Sequence, residues 1–204
     1  IELKGKTLGI VGLGRVGSEV AKRALGLEMR VLGYDPYLVP ERAARLGVAI
    51  ADFDSMLATC DFLTLHTPLT DTTKSLIGAR EISLMKPTAR IINVARGGLV
   101  DEDALIQALN DEKLAGAAID VFTKEPAQDN ILLKSNKVIA TPHLAASTVE
   151  AETSAGIDIA EQVVEVLKGY PPKSPVNAPK IASEVMSVLS PFLQVGEIVG
   201  LVAT

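Results

Sequence analysis

The apolar run Leu8-Gly9-Ile10-Val11 gives way to three glycines at G-x-G-x-x-G spacing, Gly12, Gly14 and Gly17. Few short patterns restrict a fold so tightly. The run reads as a buried parallel strand. Val16, Val20 and Ala24 then recur at helical intervals, so a helix opens inside the motif. Gly12 allows the tight strand-to-helix turn, Gly14 lets the backbone approach a pyrophosphate, and Gly17 lets helix and strand pack closely. The helix start offers free N–H groups and the positive end of its dipole to the phosphates. A tight turn alone would also explain the glycines, so their context matters. A second strand, Arg30–Tyr34, ends in Asp35, 23 residues after Gly12. That is near the spacing at which an acidic side chain accepts from a ribose hydroxyl. A carboxylate there repels the 2′-phosphate of NADP, so NAD is the expected cofactor. Asp35 can also cap the turn made with Pro36, and the two roles are compatible.

Apolar strands alternate with helical patterns through the first two-thirds of the chain, the signature of a parallel sheet covered on both faces. The pattern predicts an α/β, doubly wound parallel sheet of about seven strands. Its strands are Thr7–Val11, Arg30–Tyr34, Val48–Ile50, Asp61–Leu65, Arg90–Val94, Ala117–Val121 and Lys137–Ala140. Helices are expected near Arg15–Leu25, Pro40–Leu46, Asp54–Ala58, Ala79–Leu84 and Asp101–Asn110. A Rossmann-type domain over residues 1–146 is followed by a long helix over 147–169, opened by a Ser147/Glu150 capping box and stopped by Gly169, Pro171 and Pro172. Residues 170–180 read as a linker. From Ile181 a new helical pattern, interrupted at Pro191, reads as the start of a further domain over 181–204.

The 204 residues carry a formal net charge of −5 without a basic cluster, which argues against nucleic acid as a partner. No uncharged apolar run reaches the length of a membrane helix, so no membrane partner is expected. The single cysteine, Cys60, fits a reducing compartment and reads as a small buried side chain. A cytoplasmic location is therefore expected, with a plastid as the alternative in a plant. No metal ligands are assigned. The apolar segment running to Thr204 suggests a piece of a larger protein.

In a doubly wound sheet, ligands bind beyond the carboxyl ends of the strands, where strand order reverses. The loops after strands are therefore the places to look for chemistry. Oxidation of an alcohol beside a nicotinamide needs a group that moves one proton and a cation that holds the substrate's charge. The chain has two histidines, His66 and His143, and both follow strands. His143, stiffened by Pro142, is the better candidate, because an ordinary imidazole titrates near neutrality. His66 reads as a lining or structural residue beside the cofactor. Arg96 follows a buried strand and is trailed by Gly97 and Gly98. Its planar fork matches a carboxylate, and the glycines suggest that something must come close. Glu125 follows another strand and can fix the tautomer of a histidine it touches. Asp120, flanked by apolar residues, either caps a backbone donor or lines the nicotinamide pocket.

These stretches resemble one family, the D-isomer-specific 2-hydroxyacid dehydrogenases. The matching residues are Gly12-Leu13-Gly14-Arg15-Val16-Gly17, Thr67-Pro68-Leu69-Thr70, Ile92-Asn93-Val94-Ala95-Arg96-Gly97-Gly98, Ala118-Ile119-Asp120-Val121-Phe122 with Glu125-Pro126, and Thr141-Pro142-His143. The resemblance implies that Arg96 holds the substrate carboxylate, His143 exchanges the proton with the C2 oxygen, and Glu125 hydrogen-bonds His143. It implies that Asp35 takes the adenosine ribose and that Arg15 and Val16 take the pyrophosphate. Thr67, Pro68, Ala95 and Asp120 would line the path to the nicotinamide, with Ala145 and Ala146 beside it. Ala145 stands where family members commonly have glycine, which narrows that approach. The resemblance also implies a homodimer or homotetramer, and a substrate-domain half outside this chain to which the long helix returns. Ala146-Ser147-Thr148 and Val176-Asn177-Ala178-Pro179 point within the family to D-3-phosphoglycerate as the small 2-hydroxy acid. Glyoxylate or hydroxypyruvate as substrate, and an NAD-sensing corepressor-type binding module, stand as alternatives.

Overall fold

The computed structural model describes residues 1–177 and 183–203. The expected linker end, the Ala178-Pro179 part of its motif, and the expected helix start at Ile181 lie outside the described residues. Two compact units are present, Ile1–Ala145 and Ala146–Thr204.

The first unit holds a seven-stranded, all-parallel sheet: β1 (Thr7–Val11), β2 (Arg30–Tyr34), β3 (Ala49–Ile50), β4 (Phe62–Leu65), β5 (Arg90–Asn93), β6 (Gly116–Ile119) and β7 (Val138–Ala140). They lie in the order β3-β2-β1-β4-β5-β6-β7. Five helices alternate with them: α1 (Arg15–Gly26), α2 (Pro40–Leu46), α3 (Phe53–Thr59), α4 (Ala79–Leu84) and α5 (Glu102–Asn110). Two apolar clusters mark the two covered faces. On one, Ala21 and Ala24 of α1 pack with Leu8, Ile10, Val31 and Val48. On the other, side chains of α3, α4 and α5 such as Leu57, Ile82 and Leu105 pack with Leu63, Leu65, Ile91 and Ile119. Alternate residues of one strand serve opposite faces, as Ile10 and Val11 do, because side chains in a strand point up and down in turn. Leu63, Leu65, Ile91 and Leu105 are fully buried, and each such side chain contributes about 1.5–3 kcal/mol by leaving water.

Helix starts follow local chemistry. Asp52 caps α3 by accepting from the Ser55 N–H at 3.0 Å, and Asp101 caps α5 through the Ala104 N–H at 3.0 Å. α1 differs: its cap residue is Gly14, and no side chain closes that end. Gly47, at φ 68°, ends α2 in the left-handed conformation that suits glycine. Asp120 and Val121 fall beyond β6 rather than inside it, so the predicted strand Ala117–Val121 is two residues too long at its end. A 3₁₀ turn at Ile131–Lys134, capped by Asn130, carries no periodicity that the sequence pattern could show.

In the second unit, α6 spans Val149–Leu167 and α7 spans Ser183–Ala203. The cap of α6 is Thr148, whose hydroxyl accepts from the Ala151 N–H at 3.1 Å, not the predicted Ser147. Of two adjacent hydroxyls, the one three residues before a free helical N–H wins. Helix α7 continues through Pro191, where an interruption was expected. A proline removes one donor and crowds one carbonyl, which the hydrogen bonds on either side can outweigh. No side chain of α6 is buried. No helix among the described residues is long and apolar enough to cross a membrane.

Candidate active site

Register aligns the carboxyl ends of the strands. Tyr34, Val11, Leu65, Asn93, Ile119 and Ala140 are Cα partners in one continuous row across β2, β1, β4, β5, β6 and β7. Immediately past that row come Asp35, Gly12, His66, Ala95-Arg96, Asp120 and Thr141–His143. Six separate loops therefore open on one edge, with the reversal of strand order between β1 and β4 in the middle. From β2 to β7 is five strand spacings, about 24 Å. A ligand touching both ends must be long and lie across the strand ends.

At the β1/β4 end, each glycine has its own geometry. Gly12 sits at φ 89°, and a Cβ there would stand 2.7 Å from the His66 carbonyl oxygen. A Cβ on Gly17 would overlap the Gly12 carbonyl, so the helix can approach the strand only as glycine. A Cβ on Gly14 would meet no atom of the chain within 4 Å. Gly14 thus faces open space beside an uncapped helix start, where the free N–H groups of Arg15 and Val16 can hold phosphate oxygens. A cavity of about 560 Å³ adjoins it, lined by Gly12, Gly14, Asp35, Thr67 and Pro68 among others. The Thr67 hydroxyl is buried with no hydrogen-bond partner, an orphan that a bound polar group would satisfy. These features fit a dinucleotide.

Asp35 does cap its turn: Oδ1 accepts from the Tyr37 N–H and Oδ2 from the Leu13 N–H, both at 2.9 Å. Each carboxylate oxygen keeps lone-pair capacity, so the clasp points the acid at the cavity without exhausting it. NADH should consequently bind far more tightly than NADPH in a fluorescence titration, and Asp35→Ala should narrow the gap at least about tenfold. Equal affinities in the wild type would remove Asp35 from this role. Thr70, Thr72 and Thr73 also line the cavity, and Thr73 Oγ1 donates to the Pro68 carbonyl at 2.7 Å. Of these, only Thr70 stands in a stretch singled out from the sequence, although the hydroxyl-rich run Thr70-Asp71-Thr72-Thr73 was a visible signal for all three.

His66 stands beside Gly12, with Nε2 3.1 Å from the Thr64 hydroxyl. Burial pushes its pKa below the usual histidine range, so it lines the cavity as a neutral ring. Cys60 is fully buried, and burial pushes its thiol up to about 11, which leaves it unreactive.

At the β6/β7 end, His143 Nδ1 and Glu125 Oε2 are 2.9 Å apart, though 18 residues separate them in the chain. Glu125 Oε1 also accepts from the Phe122 N–H at 3.0 Å. The His143 bond, helped by the Phe122 N–H, holds the Glu125 carboxyl below the usual range. An ionised glutamate at Nδ1 fixes the ring with its proton there, which leaves Nε2 for a substrate. Both side chains are partly exposed and line a second cavity of about 470 Å³, with Phe122, Pro126, Leu133 and Pro142.

His143 adopts φ 59°, a conformation rare for a residue with a side chain. Asp120 holds it there. Asp120 is 3% exposed, and its carboxylate accepts from the Thr141 hydroxyl at 2.6 Å, the Leu144 N–H at 2.8 Å and the Ala145 N–H at 2.9 Å. Its carbonyl accepts from the His143 N–H at 2.9 Å. Burial pushes this carboxyl up, but the three donors more than reverse that and keep it ionised. Of the two expectations for Asp120, the capping one is what its bonds describe. Ala145 takes part through its N–H. Ala146 falls in the second unit.

Arg96 is exposed, one strand over, and its guanidinium donates to its own Ala95 carbonyl at 2.6 Å. Among the described residues it pairs with no carboxylate. Buried Asn93 shapes this loop by donating to the Arg96 carbonyl at 2.9 Å and accepting from the Ala95 N–H at 3.1 Å. Asn93 has no role assigned from the sequence alone. One polar residue inside Ile91-Ile92-Asn93-Val94 was the available clue. Gly97 fits against the Phe122–Thr123 peptide, where a Cβ would overlap the Phe122 carbonyl. At Gly97 the expected close approach is thus made by the protein's own backbone, and it seats the Arg96 loop against the loop of Glu125.

Residues 1–145 match the family described as D-isomer specific 2-hydroxyacid dehydrogenase, NAD binding domain. The chain belongs to that family. Curated relatives include the D-3-phosphoglycerate dehydrogenase of Archaeoglobus fulgidus, 49% identical over all of this chain and 39% of the relative. The chloroplastic D-3-phosphoglycerate dehydrogenase 2 of Arabidopsis thaliana is 48% identical over all of this chain and 33% of the relative. Among solved structures, D-mandelate dehydrogenase of Rhodotorula graminis superposes with a TM-score of 0.81 at 30% identity, covering 90% of this chain and 54% of that one. The NAD complex of a D-isomer specific 2-hydroxyacid dehydrogenase from Lactobacillus delbrueckii ssp. bulgaricus gives 0.78 at 34% identity, covering 86% and 57%. This chain therefore spans about two-fifths or less of those two D-3-phosphoglycerate dehydrogenases. It carries the family's NAD-binding fold, and NAD is its cofactor.

Proposed function

We propose that this chain is the cofactor-binding part of a D-3-phosphoglycerate dehydrogenase, which oxidises D-3-phosphoglycerate to 3-phosphohydroxypyruvate at the entry to serine biosynthesis. The observation that carries the reaction type is the His143–Glu125 hydrogen bond, set on the same sheet edge as the glycine turn. The substrate assignment is supported by relatives of that name, 44–49% identical across essentially the whole chain.

When bound, NAD supplies a nicotinamide ring that accepts a hydride from the substrate's C2. The chain's residues do the rest. Arg96, free of any carboxylate partner among the described residues, receives the substrate carboxylate in its planar fork. His143 Nε2 removes the proton from the C2 hydroxyl, and returns it in the reverse direction. The ionised Glu125 carboxylate, bonded to His143 Nδ1, stabilises the imidazolium formed when that proton arrives. The single cysteine, which leaves this chain without an internal disulfide, is compatible with a reducing compartment, and we propose the cytosol or, in a plant, the plastid.

The test is NADH oxidation by the intact enzyme with 3-phosphohydroxypyruvate, hydroxypyruvate and glyoxylate. The expected order puts kcat/KM for the phosphorylated keto acid at least about tenfold above the other two, a difference of about 1.4 kcal/mol in transition-state binding. Parity, or preference for glyoxylate, overturns the substrate assignment. No turnover with any of the three, despite tight NADH binding, overturns the enzyme reading as well.

A further inference from the structure

We propose that Glu102 is a positioning residue for this site: it braces the loop that carries Glu125, and through Glu125 it sets His143. The proposal rests on the reading of Glu125 and His143 given above. Glu102 is the first residue of α5, where an acid needs no special reason, since it complements the helix dipole. Its contacts go beyond that. Oε1 accepts from the Thr123 N–H at 2.7 Å, and Oε2 accepts from the Asn130 side-chain amide at 2.6 Å. The two partners lie 21 and 28 residues downstream. A dipole-complementing acid would have no use for either.

Thr123 and Asn130 bracket the part of one loop that carries Glu125. The first tie is two residues before Glu125 and next to Phe122, whose N–H holds Glu125 Oε1. The second tie fixes the far end, where Asn130 also caps the 3₁₀ turn by accepting from the Leu132 N–H at 2.9 Å. Asp101 anchors α5 immediately before Glu102, and Leu105, Ile106 and Leu109 bury the helix in the core. One half-buried carboxylate thus transmits the position of a rigid element to the base of Glu125. A group bonded to a charged acceptor at both loop ends contributes more than a neutral bond would, and small displacements of a catalytic pair reduce rate steeply.

The experiment uses the intact enzyme and compares E102A, E102Q, E125Q and the double variant E102A/E125Q. E102A is expected to lower kcat about tenfold with substrate KM and NADH dissociation constant within about twofold of wild type. E102Q keeps an acceptor for the Thr123 N–H and should fall between E102A and wild type. Because Glu102 acts through Glu125, adding E102A to E125Q should cost little more than E125Q alone, a non-additivity that a merely structural role would not produce. The proposal is overturned if E102A and E102Q both turn over within about twofold of wild type. It is also overturned if the E102A loss persists in full on the E125Q background, or if E102A loses the fold or NADH binding in step with kcat. Wild-type turnover by E125Q itself would instead bring down the underlying assignment of the active pair.

Discussion

Replacing His143 by alanine in the intact enzyme should lower kcat by about 10²–10⁴-fold and leave the NADH dissociation constant within about twofold. The split follows from where the residue stands. The Gly12–Gly17 turn, Asp35 and Thr67 gather around one cavity at the β1/β4 end, whereas His143 lies beyond β7 in a cavity with Glu125. Removing the imidazole takes away the only ring among the described histidines that is bonded to an ionised carboxylate at one nitrogen and has no protein partner at the other. The backbone around it should survive. Asp120 holds the turn through the Thr141 hydroxyl and the N–H groups of Leu144 and Ala145, not through the ring. Histidine occurs in the left-handed region more often than alanine, so the substitution adds some strain at φ 59° that the Asp120 bonds must hold. Steady-state kinetics beside an NADH fluorescence titration read the two quantities separately. A parallel loss of cofactor affinity would move His143 from proton transfer to cofactor binding.

The row of strand ends explains what could be read from residue order and what could not. Periodicity located the strands, and the glycine spacing located the switch point, because both are local properties of the chain. Arg96, Glu125 and His143 could be picked out as candidates too, since each follows an apolar run and carries a side chain suited to one task. What stayed hidden were the distant partners of Asp120 and Glu102. Asp120 could be placed next to a strand, but that its carboxylate would clasp residues 21 to 25 positions later depends on β6 and β7 being neighbours. Glu102 looked like any acid in a first helical turn, because its partners come from a loop brought beside α5 only by the sheet. The capping shift from Ser147 to Thr148 has a simpler cause: adjacent hydroxyls are equivalent in a pattern and differ only once the backbone chooses its first helical residue.

Gly97→Ala should be the most damaging single-methyl addition at the catalytic end. The new Cβ would occupy the position of the Phe122 carbonyl, with the Thr123 nitrogen 2.7 Å away. Neither atom belongs to a side chain that can rotate aside. The Thr123 N–H is tied to Glu102, and the Phe122 N–H is tied to Glu125. Relief must come from separating the Arg96 loop from the Glu125 loop. An overlap of this kind with fixed backbone costs about 3 kcal/mol or more, which for a unit of this size lowers Tm by about 6–12 °C. Turnover should fall further than stability alone accounts for, since the guanidinium and the His143–Glu125 pair would no longer face one substrate. Gly14→Ala is the matching control: its Cβ meets nothing of the chain within 4 Å, so Tm should stay within about 2 °C of wild type while NADH binding weakens. Thermal unfolding followed by circular dichroism, with kcat measured well below the transition, separates the two variants. If Gly97→Ala melts with the wild type and keeps its turnover, the two loops are not held in backbone contact and Arg96 is positioned by something other than Phe122.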